Sequence, residues 1–492
     1  MKSSVSQTPD SIPSYFINRT SLHLSKPLSI IFNVSIQTGQ IPQIWKKAIV
    51  IPIYKKGSKN LPSNYRPISL TSSVCRLLER IIHSNILTHL QVNNIISTAQ
   101  HGFIPKRSTQ TQQIDFLDQI TTLHDHRTQT EVIYLDFSKA FDKVSHVNLL
   151  FILQHTGTHQ NIINWISNYL SGRSQVTVVD SHHSQSKPVT SGVPQGSVLG
   201  PLLFIIYLQD LINTININCP NTSVYAFADD IKLLSTDAND LQHALNLVDD
   251  WTATWKLLLN TNKSEHLTIR QKIQRTFTLK NQIIPKIDNV RDLGVTLADD
   301  LKWVTYISKI RSKASSLIHI ILHTFSTNNA SLLINLYKTY VRPIMEYNTC
   351  TWSPYLKGEI KEAESVQRKF TKRLCQRLNI KFSNYNDRLN KLNLESLETR
   401  RLKNDLIFTY KLINNMVDMD SRKHFKFSEF GGYNLRRHNL HLMHQKSPSS
   451  LCRQNFLTNR VINHWNSLPP HIVESRTLDI FKHNINLFYN TN

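Results

Sequence analysis

SVYAFADDIKLLS, residues Ser223 to Ser235, places two adjacent aspartates, Asp229 and Asp230, between two short apolar runs. Apolar runs on both sides of a short acidic segment predict two β-strands joined by a tight turn. Aspartate is common in turns, so the pair alone favours an ordinary hairpin. The function of the two carboxylates therefore depends on what the rest of the chain contains.

The chain as a whole is strongly basic. Its 492 residues include 57 Lys and Arg against 34 Asp and Glu, a formal net charge of +23. This excess indicates a phosphate-rich partner, nucleic acid first and an anionic membrane surface second. The membrane is disfavoured because no apolar run approaches the ~18 residues of a spanning helix. The first residues also lack the apolar segment of a signal peptide, and five scattered cysteines fit reduced thiols.

A third carboxylate changes the interpretation of the pair. EVIYLDFSKAFDKV begins as a strand of β-branched and aromatic residues that ends at Asp136, so a rigid sheet would present this side chain at its edge. Carboxylates packed together repel one another unless divalent cations compensate their charge. Magnesium is the ion expected, and two such ions ~3.5–4 Å apart stabilise an in-line phosphoryl transfer.

A glycine-rich stretch adds a second constraint. SGVPQGSVLGP contains Gly192, Gly196 and Gly200, three of only 12 glycines in the chain. Glycines crowded in this way indicate a backbone that something approaches closely. With Gln195 and a helix start beside them, they favour contact with a nucleotide base, a sugar or a template strand over a flexible surface turn.

Several motifs in order carry a family resemblance. YLDFSKAFDKV, SGVPQGSVLGPLLF, YAFADD and NTNKSEHLTI resemble motifs A, B, C and D of reverse transcriptases. VIPIYKKGSKNLPSNYRPISLTSSVCRLLERII, QHGFIPKRST and DNVRDLGVTLADDLKW resemble the finger motifs and primer grip of that family. The style is that of jockey-like non-LTR (LINE-type) retrotransposons. Such elements usually carry an endonuclease domain upstream, which we expect to be absent here.

The resemblance implies an α+β fold, the right-hand polymerase, whose fingers and palm with an antiparallel sheet precede an all-α thumb and a mixed C-terminal tail. Apolar periodicity agrees, since strands and helices alternate to about residue 297 and helices follow. The implied domains are a partial N-terminal finger extension, the fingers and palm, the thumb, and a basic C-terminal region that is a candidate for RNA binding: 1–35, 36–298, 299–377 and 378–492.

The family's metal ligands fall on the acidic motifs. The resemblance implies that Asp136 and Asp229 ligate the metal ions directly, that the Phe137 backbone carbonyl assists, and that Asp230 is the third acid. Lys263, in NTNKSEHL, matches the motif D lysine that would protonate the leaving pyrophosphate.

The nucleotide contacts fall on three further motifs. Phe141 would lie under the incoming sugar and select deoxynucleotides, and Arg66 would bind the triphosphate. Gln195 and Gly196 would line the nucleotide and template pocket. The finger lysine that helps Arg66 is left open among Lys55, Lys56 and Lys59.

These roles imply an RNA-directed DNA polymerase. It would use two Mg²⁺ ions, with Mn²⁺ as a substitute, and bind an RNA template, a DNA primer and dNTPs in the nucleus or cytoplasm, with no membrane partner and an oligomeric state left open. Two alternatives remain at this point: a catalytically silent nucleic-acid-binding remnant of such an element, and an RNA-dependent RNA polymerase. Phe141 disfavours the second, because those enzymes usually place a polar residue there to accept the ribose.

Overall fold

The computed structural model describes residues 8–428, 438, 440–444 and 448–491. Parts of the predicted N-terminal extension and C-terminal region therefore lie outside the described residues. The chain divides into two units, of which unit 1 comprises Met1–Phe103, Ile133–Ser264 and Thr276–Pro285. Unit 2 comprises Ile104–Val132, Glu265–Arg275 and Lys286–Asn492. The finer division into four domains stays a prediction.

Most strands of the described chain precede residue 300. In chain order they are β1 (Lys47–Tyr54), β2 (Tyr65–Leu70), β3 (Thr130–Leu135), β4 (Arg173–Val179), β5 (His182–His183), β6 (Lys187–Val189), β7 (Thr222–Phe227), β8 (Asp230–Ser235), β9 (Glu265–Ile269), β10 (Thr278–Leu279), β11 (Gln282–Ile283), β12 (Asn289–Asp292), β13 (Val295–Ala298), β14 (Lys426–Phe427) and β15 (Leu442–Met443).

Helices occur throughout the described chain and dominate after residue 300. They are α1 (Ser14–Arg19), α2 (Ser21–Thr38), α3 (Ser73–Val92), α4 (Thr109–Asp125), α5 (Ala140–Lys143), α6 (His146–His155), α7 (Gln160–Leu170), α8 (Leu199–Asn218), α9 (Ala238–Trp255), α10 (Val304–Thr324), α11 (Ala330–Leu336), α12 (Arg342–Glu346), α13 (Thr349–Trp352), α14 (Lys357–Arg377), α15 (Tyr385–Lys391), α16 (Leu397–Ile413), α17 (Ser421–His424), α18 (Leu451–Gln454), α19 (Leu457–Arg460), α20 (Ile462–Asn466), α21 (Pro470–Val473) and α22 (Leu478–Thr491).

Two sheets organise unit 1. In the first, β1 lies between β2, which is antiparallel to it, and β4, which is parallel to it. In the second, the antiparallel hairpin of β7 and β8 lies beside β3, with β7 at the edge. The end of β3 and the turn of this hairpin carry the predicted catalytic acids, so this second sheet positions the site.

Helix α8 forms the core of unit 1. It begins at Leu199, at the end of the glycine-rich stretch, and most of its residues as far as Ile215 are buried. The helix contacts α3, α6, α9 and β7. By length and composition it could cross a membrane, but two thirds of its most apolar segment is buried inside the protein. An all-round apolar helix in a buried position is typical of a protein core.

Unit 2 is mainly helical. α10 packs against α14, and α16 packs against both α13 and α22. The core includes wholly buried aromatic side chains, among them Trp352, Phe370 and Trp465. The α+β prediction, with helices after residue 300, is therefore confirmed. The exceptions in the described residues are the two-residue strands β14 and β15.

Candidate active site

The two adjacent aspartates lie at the predicted hairpin turn. Phe227 at the end of β7 pairs with Asp230 at the start of β8, so Ala228 and Asp229 form a two-residue loop. Ala228 has a φ of 56°, a left-handed conformation that is unusual for alanine. A positive φ at the first loop residue is typical of a type II′ turn, where glycine is preferred. The turn leaves Asp229 half-buried and Asp230 exposed.

Asp136 follows β3 and is fixed by the segment that contains Lys263. The backbone N–H of Asn260 donates to the Asp136 carbonyl at 2.8 Å, and Phe137 pairs with Leu259 in an antiparallel bridge. The Asp136 N–H points to Ser264 Oγ at 3.4 Å. These contacts hold the backbone on both sides of the Asp136 side chain, which is 44% exposed.

Asp229 lies within electrostatic reach of Asp136. Burial raises the pKa of Asp229, and the nearby Asp136 carboxylate raises it further, while Arg66 and Lys55 lower it in part. Lys263 Nζ lies 3.9 Å from Asp136 Oδ2, but this pair is largely exposed and therefore weak. Burial and the Asp136 carboxylate therefore outweigh the nearby cations at Asp229.

The electrostatics also separate the finger lysines. Lys55 follows β1 and its N–H donates to the Asn64 carbonyl at 2.8 Å, whereas Arg66 lies on β2 opposite Ile53. Lys55 and Arg66 both act on Asp229. The Lys59 ammonium instead lies 5.8 Å from the centre of the Tyr54 ring. Lys55 therefore shares its surroundings with Arg66 and Asp229, and the choice among the three lysines stays a prediction.

Phe141 has an aromatic support. Its ring stacks on the buried Phe204 with 4.4 Å between centroids and meets the edge of Phe103 at 6.4 Å. Phe204 belongs to α8, the core helix. Packing against a core side chain restricts the Phe141 ring, which remains half-buried.

The glycine-rich stretch is approached by backbone of the same chain. A Cβ at Gly192 would lie 2.6 Å from the Asp142 carbonyl oxygen, and a Cβ at Gly196 would lie 2.6 Å from that of Ser69. Gln195 Nε2 donates to Asp142 Oδ1 at 2.9 Å, and the Gln195 carbonyl accepts from the Ser69 N–H at 2.7 Å. These contacts join the stretch to β2, which carries Arg66, and to the Phe141 segment.

A buried acid from α3 completes this arrangement. Glu79 Oε2 accepts from the N–H groups of Val198 and Leu199 at 2.7 and 3.0 Å, at the start of α8. Burial raises the pKa of Glu79, and these two hydrogen bonds oppose the rise. The start of α8 has no side-chain cap of its own, so Glu79 on α3 supplies the cap.

Two carboxylates with a backbone carbonyl beside them are ligands that suit a hard divalent cation. The structure brings Asp136 and Asp229 into interaction, and Phe137 adjoins Asp136. Asp230 begins β8 and is exposed. Across the described residues, no group of three or more His, Cys, Asp or Glu side chains forms a metal cluster. The assignment of Asp230 to the metals stays a prediction, as do the individual roles of the other residues.

Gln100 is the residue that sequence reasoning missed. It is wholly buried, and its Oε1 accepts from the N–H groups of Ala228 and Gly102 at 2.9 and 2.7 Å. QHGF was identified only as part of a finger motif. Nothing in its spacing indicated a contact with a turn 128 positions away.

Residues 53–297 match the family described as reverse transcriptase (RNA-dependent DNA polymerase). The chain belongs to the reverse transcriptases. The matched range includes every predicted site residue, from Arg66 to Lys263. Reverse transcriptase domains generally use divalent metal ions and act on RNA templates.

The relatives of this reverse transcriptase are non-LTR retrotransposon proteins. It is 27% identical over 360 residues to a probable RNA-directed DNA polymerase from transposon X-element of Drosophila melanogaster. It is 25% identical over 362 residues to the RNA-directed DNA polymerase from mobile element jockey of the same organism. Each match covers 70% of this chain and 39% of the relative. The chain thus spans about two fifths of the length of these curated relatives.

Among solved structures, the reverse transcriptase is similar to apo telomerase from Candida tropicalis. The TM-score is 0.42 at 10% sequence identity, and the match covers 82% of this chain and 73% of that chain.

Proposed function

We propose that this chain is an RNA-directed DNA polymerase of a non-LTR retrotransposon, which extends a DNA primer on an RNA template with dNTPs. The observation that carries the proposal is that the half-buried Asp229 carboxylate lies near Asp136, since β8 and β3 are neighbours in one sheet. Neighbouring carboxylates at a partly buried position are typical of a site for divalent metal ions.

Asp136 and Asp229 would hold two Mg²⁺ ions, with the Phe137 carbonyl and Asp230 in support. When bound, such ions stabilise the attacking and leaving oxygens of an in-line phosphoryl transfer. Arg66 and Lys55 would bind the triphosphate, since both already act electrostatically on Asp229. The exposed Lys263 ammonium could reach the leaving group as a proton donor.

Selection of the sugar would depend on Phe141. Because its ring is stacked on the buried Phe204, it cannot easily move away from a 2′-hydroxyl. Phe141→Ala should therefore raise incorporation of rNTPs relative to dNTPs. Gln195 and Gly196 would shape the pocket beside it, since both are held against β2.

Helix α14 supports binding of a polynucleotide. Its exposed face carries a run of basic side chains: Lys361, Arg368, Lys369, Lys372 and Arg373. Basic side chains that neutralise phosphates release counterions, so affinity falls as the salt concentration rises. Binding of a template and primer duplex should therefore weaken steeply between low and physiological salt.

The test is primer extension on poly(rA) with oligo(dT), dTTP and Mg²⁺. Wild type and Asp250→Ala, a matched change of an exposed aspartate in α9, should extend the primer. Asp229→Ala should not. Equal extension by Asp229→Ala and wild type, or no extension by wild type with either Mg²⁺ or Mn²⁺, would overturn the proposal.

A further inference from the structure

The start of the QHGF finger motif continues the sheet that carries the catalytic turn. The Ala226 N–H donates to the Ala99 carbonyl at 2.9 Å, and the His101 N–H donates to the Ala226 carbonyl at 2.8 Å. Gln100 thereby forms a parallel bridge with Ala226 on β7. Since β7 is the edge strand of its sheet, residues 99–101 lie along its open edge.

The Gln100 side chain extends this contact to the turn. Its Oε1 accepts from the N–H of Ala228, which is itself 4% exposed, and from that of Gly102. A buried N–H that loses its acceptor costs about 1–3 kcal/mol. The left-handed conformation of Ala228 costs roughly 1–2 kcal/mol more. The turn therefore needs an external partner to keep this conformation.

Gly102 allows the close approach that this contact requires. A Cβ at Gly102 would lie 2.4 Å from the Ala228 nitrogen and 3.0 Å from the Phe227 carbonyl carbon. Any side chain at position 102 would push the loop and the turn apart. Gln100 and Gly102 thus act on the same turn through two separate contacts.

We propose that Gln100 is a positioning residue of the polymerase, which fixes the Ala228–Asp229 turn so that the Asp229 carboxylate stays opposed to Asp136. Two carboxylates that repel one another move apart unless the backbone holds them. A turn freed from Gln100 would let Asp229 move away from Asp136, and the pair would then bind divalent ions less tightly. The inference rests on the proposed function and adds a residue to its machinery.

The chain offers a matched control for Gln100. Gln209 is also buried, and its Oε1 accepts from the N–H of Ser97 at 2.9 Å, in the same loop but away from the turn. Gln100→Leu and Gln209→Leu each remove one buried amide acceptor from residues 97–103. If Gln100 contributes only to stability, both variants should simply be less stable.

Three measurements on the whole protein separate the roles: thermal unfolding, Mn²⁺ binding without nucleic acid by electron paramagnetic resonance, and primer extension at varied Mg²⁺. We expect Gln100→Leu to weaken Mn²⁺ binding and raise the Mg²⁺ concentration for half-maximal extension by about tenfold. The KM for dTTP should change less than twofold. Gln209→Leu should lower the unfolding temperature without changing either metal constant.

Gly102→Ala tests the same contact while Gln100 is kept. It should shift both metal constants in the same direction as Gln100→Leu, and it decides the matter alone if Gln100→Leu does not fold. Metal constants within twofold of those of Gln209→Leu, in every folded variant, would overturn the inference. A wild type that binds Mn²⁺ but extends no primer would instead overturn the proposed function, so the two failures are distinguishable.

Discussion

Two groups of carboxylates in this protein have opposite surroundings. In unit 1, Asp229 lies near Asp136, and burial together with this neighbour raises the pKa of Asp229. In unit 2, Asp115 and Asp118 lie on α4 among cations. Burial raises the pKa of Asp115, but its hydrogen bond and charge interaction with His424, together with Lys423, outweigh this and lower the pKa to about 2.

The α4 acids are neutralised within the protein. Lys423 Nζ lies 3.0 Å from Asp115 Oδ1, and Arg453 Nη1 lies 2.7 Å from Asp118 Oδ1. His424 lies between the two acids, 3.2 Å from Asp115 and 3.3 Å from Asp118. The α4 acids are thus paired with protein cations, which serves stability, whereas Asp229 and Asp136 repel each other and, under the proposed function, take their counter-charge from divalent ions.

The largest expected difference between the two groups of acids is in the rate of primer extension. Asp136→Asn should lower the rate of primer extension on the order of 10³-fold, because a ligand of both proposed ions is lost. Its unfolding temperature should not fall. Asp250→Asn is the control. An equal loss of rate per folded molecule in Asp118→Asn would show that the two groups of acids do not differ in function.

The next effect is on stability. Asp118→Ala removes the carboxylate that pairs with the buried Arg453 and one of the two carboxylates beside His424, so the free energy of unfolding should fall by about 3 kcal/mol in urea denaturation. Asp300→Ala, which breaks an exposed pair with Lys302, should cost less than about 1 kcal/mol. Equal losses from the two variants would contradict the idea that burial distinguishes these pairs.

The α4 acids should also make stability depend on pH. Burial lowers the pKa of His424, but Asp115 and Asp118 outweigh burial and raise it from 6.5 to about 9. Its contribution to stability is therefore complete below pH 6.5 and lost as the pH rises through 9. The unfolding temperature should fall by about 5 °C across this window in wild type. His424→Gln should show a flatter profile, and a wild-type slope retained in that variant would assign the effect to another group.

The smallest effect concerns Asp136 and Asp229 without metal. Because the pKa of Asp229 is raised in the folded state, its ionised form destabilises the protein above that pKa. Asp229→Asn should therefore raise the unfolding temperature of the metal-free protein at pH 7 by about 1–2 °C, and the gain should vanish below pH 3.8. Mg²⁺ should stabilise wild type and not this variant; a destabilised variant would argue against repulsion between the two acids.

The sequence predicts the acids of the site because each lies in a local pattern. Asp136 ends a strand of β-branched residues, and Asp229 lies between two short strands. The sheet then brings the two patterns together because β8 lies beside β3. The resemblance to reverse transcriptases also placed every site residue inside the matched domain.

Contacts between distant positions could not be predicted in this way. Gln100 and Ala228 are 128 positions apart, and Asp118 and Arg453 are 335 positions apart. The acids of α4 are spaced as on a solvated helix face, so only the folded chain shows that Arg453 neutralises one of them. The C-terminal region was predicted from composition as a basic RNA-binding segment, and that function stays a prediction.

Residues 99–101, which lie along the edge of β7, also bear on aggregation during synthesis. An edge strand with apolar residues, such as Val224 to Phe227, is a template for pairing with other chains, and this is a common origin of aggregation. Residues 99–101 occupy that edge. Because they are made before β7, they are already present when β7 leaves the ribosome, so the same short segment can protect the nascent sheet.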